Sequence, residues 1–470
     1  MWDKHQASVT FPSMMENDPN HSAPTVRVTP GGPVVGKIQP PGSKSLTNRA
    51  LLCAAFAQGE SNLTGCLASE DTEVMIESLR RCGVAINSSG GGRTLSVSGM
   101  SNRPHLDPAT TADENPVELF IANSGTTVRF LTAALSAYGG NYRLSGVERM
   151  HARPIQDLVG ALQPVQLGNV HAESTGGCPP VVIESTGWRD SPIRVAGRVS
   201  SQYLSGLMMA APLSRRDGAP ASTKIQVVGE LVSLPYVEMT ARVMSAFGAN
   251  VDLMPATDDL SHIVNVQGRY DATNYVVEPD ASAASYFWAA AAITGGEVTV
   301  QGLNFDALQG DVDFCRVLEQ MGCRVHGDAN SLTVSGRAAR GVDVDMNAIS
   351  DTVQTLAVVA LFAEGPTRVR GVAHNRFKET DRIGDLACEL RKMGATVDEH
   401  EDGLTIVPPG KGPQHAVLDT YGDHRMAMSL SLAGLVAKGI EVENPACTAK
   451  TYPQFFADLE QLLGRPHVWG

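Results

Sequence analysis

The chain has 470 residues, 43% apolar and 19% charged, with a net charge of −13. That is the balance of a folded chain long enough for two or more large cores. It argues against binding nucleic acid or an acidic membrane through bulk charge. No apolar run approaches the ~18–20 residues of a membrane span, so any anionic ligand must be met by positive charge focused locally.

In chain order, residues 1–24 hold Asp3, Glu16 and Asp18 and no hydrophobic segment. This reads as a disordered tail or an upstream start, neither secretory signal nor transit peptide. A leading strand within residues 26–38 runs into the stiff crossing Pro40-Pro41-Gly42. Six units follow, one roughly every 70–80 residues. Each opens on a polar cluster that starts an Ala/Leu-rich helix. The clusters are Gly42-Ser43-Lys44-Ser45, Asn123-Ser124-Gly125-Thr126 and Ser200-Ser201-Gln202, then Asp280-Ala281-Ser282, Ser350-Asp351-Thr352 and Gly422-Asp423-His424. Each unit then has a β-like run and a second, amphipathic helix, expected at 73–82, 154–162, 235–247, 312–321, 383–393 and 453–463. Gly83, Gly248, Gly322 and Gly394 stand where a left-handed helix cap is needed. Pro154 fits the first turn of its helix.

The second crossing, Glu278-Pro279-Asp280, divides the units three and three. The predicted domains are 42–279 and a discontinuous 25–41 plus 280–470, with a hinged cleft between them. Helix N-termini carry unpaired N–H groups and partial positive charge, so several of them at one cleft make an anion site.

The candidate chemistry sits at these starts. Lys44 and Arg49 flank the first. It lacks the glycines of a phosphate-binding P-loop, which argues against a nucleotide. Gly125 leaves its N–H open, with Arg129 one turn on, and Arg149 and Arg153 precede the next helix. In residues 375–382, Arg376, Lys378, Glu379, Asp381 and Arg382 are charged, and a helical path would put Lys378 and Arg382 on one face. Asp351 reads either as an N-cap or as a base. Asp423-His424-Arg425 and Lys450 add further charge at the last starts. There is no metal-ligand spacing and no dinucleotide or nucleophile-elbow motif, so neither metal nor cofactor is expected. The eight cysteines form no Cys-x-x-Cys pair and read as buried free thiols of a reducing cytosol.

The runs Pro-Gly-Ser-Lys-Ser (41–45), Asn-Ser-Gly-Thr-Thr-Val-Arg (123–129), Ser-Ser-Gln (200–202), Phe-Lys-Glu-Thr-Asp-Arg (377–382), Asp-His-Arg-Met-Ala (423–427) and Ala-Lys-Thr-Tyr-Pro (449–453) lie in order along the chain. Together they resemble the 5-enolpyruvylshikimate-3-phosphate synthase family over about residues 25–465. The resemblance implies a two-domain inverse α/β barrel of six repeats. It implies transfer of the enolpyruvyl group of phosphoenolpyruvate to the 5-hydroxyl of shikimate 3-phosphate, in chorismate and aromatic amino acid biosynthesis. It implies that Lys44, Ser45, Arg49, Ser200, Ser201, Gln202, Ser233, Tyr236, Asp351, Asn375 and Lys378 hold shikimate 3-phosphate. Lys44, Asn123, Gly125, Arg153, Gln202, Glu379, Arg382, Arg425 and Lys450 would hold phosphoenolpyruvate. Asp351, Glu379, Lys44 and His424 would carry the chemistry, in a cytoplasmic monomer that glyphosate inhibits.

Four positions depart from the family's usual residues. Ser124 replaces Ala, Phe130 replaces Pro, Leu234 replaces Lys and His151 replaces Lys. Phe130 argues for reduced glyphosate sensitivity. A sister enzyme with a UDP-aminosugar acceptor typically has Lys-Asn at the first turn and a loop cysteine. Here the pair is Lys44-Ser45, and no Cys lies between Cys82 and Cys178. The other alternative is a non-catalytic anion-binding protein of the same fold.

Overall fold

Each unit in the computed structural model is a strand, a buried helix, a parallel strand, an outer helix and two antiparallel strands. The structure describes residues 24–100, 115–214, 222–257 and 259–470; the tail expected at 1–24 lies, but for Pro24, outside them. The second unit shows the pattern. Val117–Phe120 and Gly140–Ser145 pair in parallel because the helix Gly125–Tyr138 crosses between them. Cys178–Trp188 and Gln166–Ser174 complete that sheet antiparallel. Six four-stranded sheets of this order are formed by the described residues.

The unit-opening helices are apolar nearly all round, and that decides their place. Every residue of Ala281–Thr294 is buried, as is all of Gly125–Tyr138 except Tyr138. A helix without a polar face must sit inside. The outer helices, such as Glu70–Arg81 and Gly384–Lys392, keep one polar face. Helices therefore fill the centre of each half and sheets wrap them, an inverse α/β barrel.

Apolar packing falls into two cores, one spanning Leu46 to Val277, the other uniting Val26, Val28 and Val34 with Ala281 to Leu459. The leading segment joins the second core through two strands. Thr25–Arg27 pairs with Ile440–Glu443, and Val35–Ile38 lies parallel to Glu297–Gln301. Asn274–Val276 lies parallel to Glu60–Thr64. So the two halves have exchanged helices. The strand Val35–Ile38 feeds the helix Lys44–Ala55 of the other half, and Asn274–Val276 feeds Ala281–Thr294. The crossings run side by side, with Ser43 N donating to Glu278 O and Asp280 N to Pro41 O, both at 2.8 Å. A β-carbon on Gly42 would lie 1.8 Å from Gly65 O, so only glycine fits there.

The glycines expected as helix caps, Gly83, Gly248, Gly322 and Gly394, all have positive φ. Two expectations are corrected. Pro154 lies outside its helix, which is Gln156–Leu162 with Ile155 at the N-cap. Asp351 is no N-cap, because it sits within the 3₁₀ turn Asn347–Thr352 ahead of Val353–Ala360. All eight cysteines are free, but only Cys53, Cys66, Cys315 and Cys323 are buried; Cys82, Cys178 and Cys447 are half-buried and Cys388 is exposed. Among the described residues no helix is long and apolar enough to cross a membrane.

Candidate active site

Five of the unit-opening helix starts converge on one cleft between the halves. Four of them are built alike. A side chain caps the first turn, from Ser43 to Leu46 N, Ser124 to Thr127 N, Ser200 to Gln202 N and Asp423 to Arg425 N. Each cap satisfies one amide and leaves others of that turn for a ligand. The fifth start brings Asp351 on its 3₁₀ turn. The sixth, capped by Asp280, faces the hinge, where Asp280 Oδ2 accepts from Lys44 N at 3.2 Å.

The cleft has two adjoining compartments, one larger and one smaller, whose walls share Lys44, Arg129, Gln202, Asp351 and Lys378. Two small molecules seated side by side there would share these walls. The larger is lined also by Ser45, Ser200, Ser201, Ser233, Tyr236 and His374. The smaller is lined by Gly125, Arg153, Glu379, Arg382, His424 and Arg425. Lysines and arginines outnumber the carboxylates Asp71, Asp351 and Glu379 on these walls, although the chain as a whole is acidic. This focuses positive field on the cleft.

Two carboxylates are held inside that field. Asp351 accepts from Arg425 at 2.8 Å and Arg382 at 3.3 Å, with Lys378 Nζ at 3.6 Å. Burial alone would raise its pKa, but Arg425, Lys378 and Arg382 hold it well below the ordinary carboxylate value. Glu379 accepts from Lys450 at 2.9 Å and Arg382 at 2.8 Å, with Arg153 at 3.9 Å. Against the push of burial, Lys450, Arg382 and Arg153 depress its pKa likewise. Arg382 joins the pair and is itself anchored on Asp423 at 2.7 Å. His424 is buried among cations. Burial and Arg425 hold its pKa well below 6.5, so it is neutral, and neither ring nitrogen has a hydrogen-bond partner among the described residues.

Most residues singled out in the sequence come together here, but Arg49, Asn375, Asn123 and Lys450 do not line the two compartments. Arg49 is 2% exposed. Its guanidinium donates to Thr240 Oγ1, Ser45 O, Ser205 Oγ and Tyr236 O and lies 5.2 Å over the Phe130 ring. Asn375 is fully buried and donates to Ser350 O; its neighbour His374 lines the cleft instead. Asn123 stands behind the wall, accepting from Arg153 through its backbone and side-chain oxygens. The charged run 375–382 is not helical as far as Arg382. A 3₁₀ turn, Ala373–Phe377, ends at Lys378, and the helix begins only at Gly384. Lys378 and Arg382 therefore reach Asp351 from a loop.

Some residues of the cleft carry no motif of their own. Asn347 takes an N–H from Ser233, whose φ is +55°, at 2.8 Å across the cleft. Arg149, in the 3₁₀ turn before Arg153, donates to Glu379 O across it at 2.9 Å. Arg129 lines both compartments and donates to Gln202 Oε1 at 2.6 Å; its place one turn after Gly125 was the signal for it.

A family model described as EPSP synthase (3-phosphoshikimate 1-carboxyvinyltransferase) matches residues 28–459. The chain is 44% identical to the chloroplastic 3-phosphoshikimate 1-carboxyvinyltransferase of Arabidopsis thaliana, over 91% of this chain and 82% of that one. It is 42% identical to the enzyme of the same name from Trichormus variabilis, over 92% and 97%. The solved EPSP synthase of Acinetobacter baumannii superposes with a TM-score of 0.74 at 25% identity, covering 96% of this chain and all of that one. With this fold and this cleft, the chain belongs to the EPSP synthase (3-phosphoshikimate 1-carboxyvinyltransferase) family.

Proposed function

We propose that the cleft joins shikimate 3-phosphate and phosphoenolpyruvate to give 5-enolpyruvylshikimate 3-phosphate and phosphate, the carboxyvinyl transfer of the shikimate route to aromatic amino acids. The observation that carries this reading is the pairing of two compartments with two carboxylates, Asp351 and Glu379, linked through Arg382. Two phosphates and two carboxylates must be packed side by side, and only a cation-rich, helix-capped cleft makes that tolerable.

In this assignment shikimate 3-phosphate takes the larger compartment. Ser200, Ser201, Gln202, Ser233 and Lys378 face its phosphate, while Lys44, Ser45, Tyr236 and Asp351 face its ring. Arg49 and Asn375 support that wall from behind. Phosphoenolpyruvate takes the smaller one, against Gly125, Arg153, Gln202, Arg382, Arg425 and Lys450, with Asn123 holding Arg153.

The 5-hydroxyl oxygen attacks C2 of phosphoenolpyruvate and its proton passes to Asp351. Once bound substrates have let Glu379 take up a proton from solvent, the C3 methylene takes that proton to become methyl. The resulting tetrahedral adduct expels phosphate, which leaves with the proton held by Asp351, as the methyl returns a proton to Glu379. Both carboxylates start too acidic for this exchange. The incoming phosphate and carboxylate groups compete for Lys378, Arg425 and Lys450 and so raise the basicity of Asp351 and Glu379 when both substrates are present. Neutral His424 packs beside Glu379 without adding charge.

The division into domains 42–279 and 25–41 plus 280–470, with the paired crossings as hinge, belongs to the same proposal. So do a monomeric state, a cytoplasmic setting and inhibition by glyphosate in the phosphoenolpyruvate compartment. The acceptor is shikimate 3-phosphate rather than a UDP-aminosugar, consistent with Lys44-Ser45 at the first helix start. Calorimetric titration tests this: heat with shikimate 3-phosphate and none with UDP-N-acetylglucosamine is expected, and the reverse would overturn the reading.

A further inference from the structure

Beside the cleft, and outside its walls, residues 308–311 knit the hinge to both halves. Leu308 N donates to both carboxylate oxygens of Glu278 at 3.1 Å. Gln309 donates to Pro279 O at 2.7 Å and accepts from Ala281 N at 3.0 Å. At Gly310 a β-carbon would lie 2.8 Å from the β-carbon of Pro235, so the chain passes hard against the helix Leu234–Ala246 of the other half. The next residue, Asp311, is 3% exposed. Its Oδ2 accepts from the Tyr236 hydroxyl at 2.7 Å and from Ser282 Oγ at 2.9 Å. Ser282 lies in the first turn of the buried helix Ala281–Thr294, and Tyr236 is part of the wall of the larger compartment. The Tyr236 carbonyl is fixed within its own half by Thr240 and Arg49. Only its hydroxyl reaches across.

We infer that Asp311 is a positioning residue for shikimate 3-phosphate: by holding the Tyr236 hydroxyl it fixes one wall of that compartment and ties it to the opposite half. Asp311 is not itself among the residues that line the cleft, so it acts through Tyr236. The inference rests on the assignment of the larger compartment made above. Three things support it. The carboxylate lies between elements of both halves. A phenol-to-carboxylate hydrogen bond is among the strong ones. And a buried carboxylate is costly to keep without a purpose. Burial, with the charge of Asp351 nearby, pushes the Asp311 carboxyl up to about 6, so near neutral pH it is still mostly an anion that only accepts.

The test uses the full chain and four variants, measuring KM for each substrate, kcat and calorimetric Kd for shikimate 3-phosphate. Asp311→Ala should raise KM and Kd for shikimate 3-phosphate about tenfold. KM for phosphoenolpyruvate should move less than about twofold. Asp311→Asn keeps an oxygen acceptor in place and should bring shikimate 3-phosphate back to within about threefold of wild type. Tyr236→Phe should reproduce the loss on its own. Adding Asp311→Ala to it should change little further, because the two act through one bond. Equal rises in both KM values, additive effects in the double variant, or an unaltered Kd in Tyr236→Phe would overturn the inference. If Asp311→Ala does not fold, Tyr236→Phe decides alone. Wild type that gives no heat with shikimate 3-phosphate would overturn the functional assignment as well, a result separate from any of these.

Discussion

Replacing Glu379 by Gln keeps the shape of the side chain and removes one charge from the centre of the cation cluster. The side chain is 9% exposed and that of its partner Lys450 10%. Among the described residues Lys450 makes no other salt bridge and is left with the more distant Asp71, whereas Arg382 keeps Asp423 and Asp351, and Arg153 keeps Asn123. The substitution thus leaves one buried ammonium without its close partner and weakens the hold on two guanidiniums. Breaking such a pair costs about 3–5 kcal/mol, and the surviving partners place this case at the low end, about 3 kcal/mol. At roughly 2–4 °C per kcal/mol for a folding unit of this size, Tm at pH 7 should fall by about 6–12 °C. Phosphoenolpyruvate brings its own anions to the same cations, so it should raise Tm more in Glu379→Gln than in wild type. Turnover should drop by ~10²–10⁴-fold, the usual worth of a general acid–base. The pH dependence has a definite sign. The folded pKa of Glu379 lies well below its unfolded value near 4.3. Its stabilisation is therefore complete above that value and is lost as pH falls through the folded pKa. The Tm gap should hold steady from pH 6 to 8 and close on acidification below about 4.5. Differential scanning fluorimetry with and without phosphoenolpyruvate, beside a steady-state phosphate-release assay, reads all of this. An unchanged Tm at pH 7, or equal stabilisation of both proteins by phosphoenolpyruvate, would refute the reasoning.

Asp351→Ala should lower kcat by ~10²-fold or more while shikimate 3-phosphate still gives a calorimetric titration; near-normal turnover would remove Asp351 from the proton path. Gly125→Ala puts a methyl 2.5 Å from an Arg153 nitrogen, so Arg153 must shift off Glu379, and KM for phosphoenolpyruvate should rise with KM for shikimate 3-phosphate little changed. Phe130 is fully buried beneath the Arg49 guanidinium. Phe130→Pro should lower the glyphosate inhibition constant more than it alters KM for phosphoenolpyruvate, and equal inhibition before and after would make Phe130 a packing residue only.

The unit-opening clusters were legible because a cap residue, a small residue and a cation before an Ala-rich stretch is a local pattern with a local cause. What escaped was direction and distance. Lys44 and Arg49 flank one helix start, but five residues turn an α-helix by about 140° from its starting face. One therefore meets the cleft and the other passes beneath it. Asn375 and His374 differ by one place in a 3₁₀ turn, where no periodicity says which faces outward. The parallel edge strands, such as Asp343–Asp345 and Ala416–Leu418, are three residues long and carry no alternation to detect. Asn347 and Asp311 look like ordinary turn residues, and their importance comes from contacts far away in the chain.

The exchange of helices at the paired crossings bears on how the chain reaches its fold. The core from Leu46 to Val277 draws all its strands from one continuous stretch and can close as soon as that stretch exists. The other core must wait for Val35 to find Glu297, about 260 residues away. Once the inner half has formed, it holds Gly42 against Pro279. The free loop to be closed then shrinks to about 25 residues, which lowers its entropic cost by roughly 2 kcal/mol. The inner half thus acts as a folding template for the outer one. Assembly is ordered from the middle of the chain outward, and the terminal strand Thr25–Arg27, paired with Ile440–Glu443, is set to dock last.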